Sequence, residues 1–582
     1  MTILSWSRGA LDRGTVIGQS YEHRAHGLAF ALPCQLDMRR AHHSKTEISQ
    51  SMANGDVFKF RFGVWVWIIV GYFSFHILYR MLIGGALGLD EAEIILHGRS
   101  FQLGYGAQLP LYAWLQRLVF LVTGPTFFGM VLLKNALLCG LVLILYFVLR
   151  TRLSAKASAL AALSLILVPQ FSWESSRALT HSVLVSFCAM ACFAVVWRIL
   201  RHPSLASFLL LGVALAAGGL SKYNFVIMPL SVMLACLCLP KARGMLYRPQ
   251  LLLSLAVCGL LLAYPVSWVL DHPQIAFASV HKFEIPDQES ARHLSIGGIL
   301  AVLAATRDFL ILPFIVLAAL LILYRNRAQT LPRISDLEWL MWLTLAIAVA
   351  GLLIGVTVAG VTNMKDRWLQ PALLLATPVA TLWVLPRLTE TGQRRLQQVY
   401  LALALLIIVA LPFHYYKSGN YETARFDVLT PQIAEALPAD TVILADKWVS
   451  GNLFYFGLAR TQIVIPVTVE VPASGALALV WTGDDMIYAR SLLRSALPND
   501  TSAYLEAPKT FQSRVRFGDD QDRFTLSVAR IVRDQSGGKG ATLTVDEPKV
   551  AGIDEYSNGL AKDENRVLAI DRIGKQNQPT RD

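Results

Sequence analysis

Asp90 and Glu91 are the residues from which chemistry first suggests itself. They stand in Leu89-Asp90-Glu91-Ala92-Glu93, directly after an apolar run from about Phe62 to Leu87, where a membrane helix would emerge into solvent. Crossing a bilayer takes roughly 20 apolar residues. A helix starting at Leu89 would set Asp90, Glu93 and His97 along one face at three- and four-residue steps, with Glu91 turned away by roughly 100°. One carboxylate could then act as a general base while its neighbours hold hydroxyl groups or a metal. The plainer alternative is that acids at a helix start complement the helix dipole and solvate the interface. Downstream, Tyr105, Gln108, Pro110, Leu111, Tyr112 and Trp114 continue the same polar and aromatic segment.

Cations stand at two further helix junctions. Lys222 ends Ala216-Ala-Gly-Gly-Leu-Ser-Lys222, and Lys365-Asp366-Arg367 lies between two apolar runs. Either could hold a phosphate at headgroup depth; the alternative for both is a helix end that snorkels, weaker at Lys365-Asp366-Arg367 because external positive charge runs against the topological bias. Glu174, Arg177 and His181 form a short polar turn entering another apolar run. Polar groups at that depth are a site hypothesis by default. The loop from Asp271-His272-Pro273 through His281, Lys282, Phe283 and Glu284 could cover a pocket.

These residues are strung along a chain built for a bilayer. It has 582 residues, of which 54% are hydrophobic and only 16% charged, with a mean hydropathy of +0.48. One soluble core does not use that much apolar surface. Apolar runs over 64–84, 126–149, 157–171, 180–198, 206–220, 224–239, 250–268, 309–325, 339–360, 368–386 and 397–413 give about eleven spans. The net charge of +12 is topological, because Lys and Arg crowd alternate loops. Those loops carry Arg150, Arg152 and Lys156; Arg198 and Arg201; Lys241, Arg243 and Arg248; Arg325, Arg327 and Arg333; and Arg387, Arg394 and Arg395. By the positive-inside rule they are cytoplasmic, as is the N-terminus, so Asp90 and Glu91 face the opposite side. No nucleic-acid partner is implied.

The expected organisation is a basic, disordered cytoplasmic extension over 1–60, a membrane domain over 61–413 with its first external loop at 85–125, an external α/β domain over 414–533, and a flexible tail over 534–582. Strands are expected at Thr441–Ala445, Thr461–Ile465 and Ala476–Trp481, with helices over 429–437 and 486–496. Six of the seven cysteines fall inside apolar runs, so no disulfide framework holds the external domain. Cys236-Leu-Cys238, and Cys188 with Cys192, read as small packing residues, not metal ligands.

The segments Leu89-Asp90-Glu91-Ala92-Glu93, Pro110-Leu111-Tyr112-Ala113-Trp114, Gly219-Leu-Ser-Lys222 and Lys365-Asp-Arg367-Trp-Leu-Gln-Pro371 together resemble the GT-C superfamily of membrane glycosyltransferases, in the group that unites dolichyl-phosphate-mannose protein mannosyltransferases with the lipid A aminoarabinose transferase. The likeness covers about residues 60–390 and is greatest toward the rhizobial-type branch that includes lipopolysaccharide galacturonosyltransferases. It implies a mostly α, polytopic bundle of GT-C type with a small C-terminal external α/β domain, in the inner membrane of a Gram-negative cell. It also implies transfer of a sugar from a polyprenyl-phosphate donor to a lipid, glycan or protein acceptor on the periplasmic face. Onto this chain it carries Asp90 as the base with Glu91 beside it, and Lys222, Lys365 and Arg367 as phosphate contacts. Glu93, His97, Gln108, Tyr112, Glu174, Arg177, His181 and His281 are candidates for the acceptor or sugar pocket. No cofactor is fixed, and a divalent metal stays open. Where the aminoarabinose transferase has Lys before Pro-Pro-Leu, this chain has Gln108-Leu109-Pro110-Leu111, and Gln cannot neutralise a phosphate.

Two other classes suit a many-span chain: a transporter or flippase for lipid-linked sugars, and a membrane scaffold whose external domain binds a partner. Against the transporter, no matching half-chain repeats are seen, and the polar residues crowd one face instead of the midplane.

Overall fold

The computed structural model describes residues 63–178, 180–280, 296–327, 333–416, 421–458, 463–466, 471, 475–498, 500, 502–517 and 522–533. The extension expected over 1–60, the tail over 534–582 and His281 lie outside the described residues.

Among the described residues, seven helices are long and apolar enough to cross a membrane. The first is α1 (Val64–Ile83), followed by two helices of the intervening loop, α2 (Leu89–His97) and α3 (Leu111–Thr123). The second long helix, α4 (Phe127–Arg150), starts at Thr126, whose hydroxyl accepts the Gly129 N–H and so satisfies one of the free amides of the first turn. Then come α5 (Ala155–Leu163), α6 (Thr180–Arg201), α7 (Leu205–Gly219), α8 (Ile227–Cys238), α9 (Gln250–Asp271) and α10 (Ile296–Tyr324). The bundle closes with α11 (Asp336–Ala359), α12 (Ala376–Val384) and α13 (Glu390–Tyr416). Helix α1 packs on α4, α4 on α6, α6 on α7, α7 on α9 and α8 on α11.

Each of the eleven expected runs is helical, but not each is a straight span. The run at 157–171 is broken into Ala155–Leu167 and Gln170–Arg177, bent by 82°. Pro169 stands at the break, where it can give no backbone N–H to the helix ladder. The run at 368–386 is likewise broken, into Asp366–Leu373 and Ala376–Arg387 at 58°. There Pro378 cannot donate to the Leu374 carbonyl four residues back. The regions Leu205–Gly219 and Tyr223–Cys238 are apolar but short, and α10 begins thirteen residues before the expected 309. The earlier start hid in the sequence because Arg307 and Asp308 interrupt the apolar run, yet they pair with each other at 2.8 Å on the helix surface.

The C-terminal α/β domain holds a six-stranded sheet: β1 (Val442–Ala445), β2 (Ile463–Pro466), β3 (Leu477–Thr482), β4 (Tyr504–Leu505), β5 (Lys509–Arg514) and β6 (Arg523–Val532). The order is β2-β1-β3-β6-β4, with β5 also pairing β6. Strand β1 lies parallel to β2 and β3, and β6 is antiparallel to its partners. Helices α14 (Phe426–Ala436), α15 (Lys447–Tyr455) and α16 (Met486–Ala496) complete it. The three expected strands and both expected helices are there; α15 and β4 to β6 are additions. Strands β1 and β3 are apolar on both faces, as parallel-sheet strands covered on both sides are.

Candidate active site

Helix α2 is fixed at its first turn by a buried charge pair. The Glu91 carboxylate accepts the Gly88 N–H at 3.0 Å and the Arg80 guanidinium at 3.1 Å. Arg80 comes from the last turn of α1, donates also to the Gly84 carbonyl at 2.9 Å, and lies between the rings of Phe127 and Tyr415. Glu91 therefore points back toward α1, turned away from the Asp90, Glu93 and His97 face as the spacing requires. Asp90, one residue earlier, is half-buried.

The expected face of α2 is formed. Glu93 accepts a hydrogen bond from Lys447 at 3.0 Å, and the His97 ring packs on Tyr105 at 4.9 Å. Burial alone would raise the Glu93 carboxyl, but Lys447, His97 and His181 outweigh it and hold it down at about 2. Burial pushes the His97 imidazole down to about 4, against the pull of Glu93. Glu93 is thus an anion and His97 neutral near pH 7.

Several buried polar groups on α2, α3 and α6 have no hydrogen-bond partner among the described residues: both ring nitrogens of His181, the Tyr112 hydroxyl, Nδ1 of His97 and both side-chain amide atoms of Gln116. Buried polar groups are nearly always paired, so such a concentration marks a place built to receive polar groups. The Tyr112 and His181 rings are 5.4 Å apart. His181 lies within electrostatic reach of Asp90, Glu93, Lys222 and Lys447, and Tyr112 within reach of Asp90 and Glu91. Burial followed by those two carboxylates pushes the Tyr112 phenol up, so it stays a neutral donor.

Lys222 closes the cluster from the end of α7. Its ammonium donates to the Ser182 hydroxyl at 2.9 Å, one residue from His181. The turn before it is joined to α3 by the Leu111 N–H bonding the Leu220 carbonyl at 3.1 Å. The segment with Lys365 and Arg367 is drawn toward the same junction, because Asn224 donates to the Trp368 carbonyl at 2.9 Å. Asp366 accepts from Gln170, and Gln370 donates to the Gln170 carbonyl at 3.2 Å, tying this segment to the broken span. Lys365 is half-buried and Arg367 exposed.

Other expected residues stand less centrally. Arg177 and Glu174 pair with each other at 3.4 Å. Gln108 forms a backbone bridge with Tyr105, which shapes the loop between α2 and α3. Among the described residues no three His, Cys, Asp or Glu side chains converge as a metal site.

Sequence reasoning missed Lys447, Gln116, Arg80 and Lys134. Lys134 is a buried cation of α4 in a cleft lined also by His76, Arg80, Asn135 and Tyr415, and its charge reaches Glu91 and Asp90. Arg80 and Lys134 gave a usable signal, since a cation within an apolar span is rarely idle. Lys447 gave none, being 354 residues from Glu93.

A bundle of straight and broken spans under a C-terminal α/β domain, with an acidic helix directly after the first span, is a GT-C-type architecture. The comparisons with known proteins agree. Residues 107–268 match the dolichyl-phosphate-mannose-protein mannosyltransferase family. That segment begins after Asp90 and includes Tyr112, His181 and Lys222. The chain is 28% identical over 494 residues to the lipopolysaccharide core galacturonosyltransferase RgtA of Rhizobium johnstonii, covering 79% of this chain and 96% of that protein. It is 29% identical over 405 residues to RgtB of the same organism, covering 67% and 80%. Its fold matches the crystal structure of ArnT from Cupriavidus metallidurans bound to undecaprenyl phosphate, with a TM-score of 0.51 at 13% identity over 80% of this chain and 98% of that one. The resemblance to GT-C membrane glycosyltransferases and the expected mostly helical fold with a small C-terminal sheet domain are both borne out, while the described residues hold seven long apolar helices, or nine spans with the two broken pairs, against the eleven expected. The transporter alternative finds no support in these matches.

Proposed function

We propose that this protein is an integral membrane glycosyltransferase that moves a sugar from a polyprenyl-phosphate donor to a lipid or glycan acceptor of the cell envelope. The reaction takes place on the periplasmic face of a Gram-negative inner membrane, with the N-terminus cytoplasmic. The observation that carries the reading is the meeting of α2 and the Lys222 junction: an acid, Asp90, and a cation, Lys222, are both within electrostatic reach of His181, whose two ring nitrogens have no hydrogen-bond partner among the described residues.

The chemistry needs both signs of charge. A polyprenyl phosphate leaves as an anion, which cations beside it stabilise as the bond to the sugar carbon breaks. Lys222 serves that anion, with Lys365 and Arg367 on the neighbouring segment and Lys134 as a buried cation near Asp90. Asp90 takes the proton of an acceptor hydroxyl, or orients an acceptor that is already anionic. Glu93, His97, Tyr112, Gln116 and His181 receive sugar hydroxyls, because the set offers acceptors and donors side by side. Glu91 holds α2 in place through Arg80. The names of the Rhizobium relatives make galacturonate the first sugar to try.

The test is transfer of radiolabelled sugar from polyprenyl-phosphate galacturonate, and from its aminoarabinose counterpart, to membrane lipid extracts. Wild-type protein is compared with Asp90→Asn and Lys222→Ala. Transfer lowered by about 10²- to 10⁴-fold in Asp90→Asn and weakened in Lys222→Ala is expected. Undiminished transfer in Asp90→Asn would remove that residue as the base.

A further inference from the structure

The helix that carries Asp90 is gripped by the C-terminal domain. Helix α15 leaves strand β1 through Asp446, whose carboxylate accepts the Trp448 and Val449 N–H groups at 2.8 and 2.9 Å, while Ser450 donates back to the Ala445 carbonyl at 3.2 Å. The start of α15 is thereby set by the sheet. Two side chains on it then take hold of one residue. Asn452 Oδ1 accepts the Leu87 N–H at 2.8 Å, its Nδ2 donates to the Leu87 carbonyl at 3.3 Å, and the Trp448 indole N–H donates to the same carbonyl at 2.7 Å. Leu87 lies three residues before Asp90 and is fully buried.

Farther along, the two helices touch backbone to backbone. A Cβ added at Gly451 would fall 2.4 Å from the Ala92 carbonyl oxygen and 2.7 Å from its Cα. Only glycine permits that approach. At the end of the contact Lys447 reaches Glu93 at 3.0 Å. Sheet, α15 and α2 thus form one continuous support, holding α2 at its entry, its middle and its polar face.

We infer that the C-terminal domain is part of the reacting unit, with Asn452, Trp448 and Lys447 acting as positioning residues: the first two fix the entry of the Asp90 helix and the third fixes the Glu93 carboxylate. The inference rests on the reading of Asp90 as the group that meets the acceptor. Small displacements of such a group are costly, about a hundredfold for an ångström. The helix is short, and it would fray if held only by Arg80 at one point.

Two measurements on the full-length protein test this. The first needs no substrate: hydrogen exchange across Leu87–Glu93 in wild type, Asn452→Ala and Lys447→Ala. Asn452→Ala should speed exchange at the Leu87 amide and the first turn of α2; exchange unchanged there overturns the inference, whether or not a donor has been found. The second is steady-state transfer. Asn452→Ala and Lys447→Ala should lower kcat by about tenfold to a hundredfold with the donor KM little changed, and Lys447→Arg should recover most of the loss. A normal kcat despite faster exchange would overturn the positioning role while leaving the glycosyltransferase reading intact. Failure of wild type on every donor would count against that reading alone, since the exchange result still decides the grip.

Discussion

The guanidinium of Arg80 meets the carboxylate of Glu91 at 3.1 Å with both side chains more than nine-tenths buried, so the acid beside Asp90 is committed to holding the helix. Removing one partner of such a pair strands the other charge, which costs about 3–5 kcal/mol, whereas removing both costs far less. Glu91→Gln should therefore lower the thermal midpoint of the detergent-solubilised protein sharply. Arg80→Met combined with Glu91→Gln should recover part of it. A Glu91→Gln protein as stable as wild type would show that the pair does not bear on the fold.

Asp90→Asn should behave in the opposite way. Asp90 is not part of the Arg80 pair, and Asn keeps its size and hydrogen-bonding capacity, so the fold should hold while transfer falls by about 10²- to 10⁴-fold, the usual contribution of a general base. The two substitutions, one residue apart, then separate stability from chemistry. A loss of midpoint in Asp90→Asn equal to that of Glu91→Gln would contradict this division.

That division was half legible in the sequence. The period of three and four residues places Asp90, Glu93 and His97 together and turns Glu91 away, and no tertiary information is needed for that. What Glu91 turns toward was hidden, because Arg80 sits in an apolar run eleven residues earlier and a linear reading treats it as an interruption. The spans were readable wherever apolar residues ran on without a break. The breaks at Pro169 and before Pro378 were not given their weight, although proline within a helical run is a direct signal for them. Lys447 and Asn452 could not be found at all, since their partners are brought near only by docking of the sheet on the bundle.

His97 and Glu93 both contribute to the pH response of the fold. The folded value of His97, about 4, lies below the ordinary 6.5, so below 6.5 the unfolded chain takes up a proton that the folded one refuses. Stability from this residue is complete above 6.5 and is lost as pH falls toward 4. Glu93, held at about 2 against 4.5, contributes stability that is present above 4.5 and fades only below it. The thermal midpoint should thus decline first through the His97 window. His97→Gln should flatten part of that decline and also narrow the lower, Glu93 window, because His97 is one of the groups that hold the Glu93 carboxyl down. An identical pH profile in the variant would refute the assignment.

Gly218 is predicted to govern the placement of Lys222 without touching it. A Cβ there would fall 2.0 Å from the Phe225 ring, and Ser221 binds the Gly218 carbonyl through both its N–H and its hydroxyl, at 3.0 and 2.6 Å. Glycine and ring together fold the turn that presents Lys222. Gly218→Ala forces one of them to move, and overpacking of this kind costs about 1–3 kcal/mol. If Lys222 holds the donor phosphate, the donor KM should rise by about tenfold, equivalent to about 1.4 kcal/mol of lost binding, with a smaller change in kcat. Adding Phe225→Leu should relieve the clash and bring KM back. An unchanged KM in Gly218→Ala would separate the turn from donor binding, and a raised KM that Phe225→Leu fails to correct would place the cause elsewhere than in this contact.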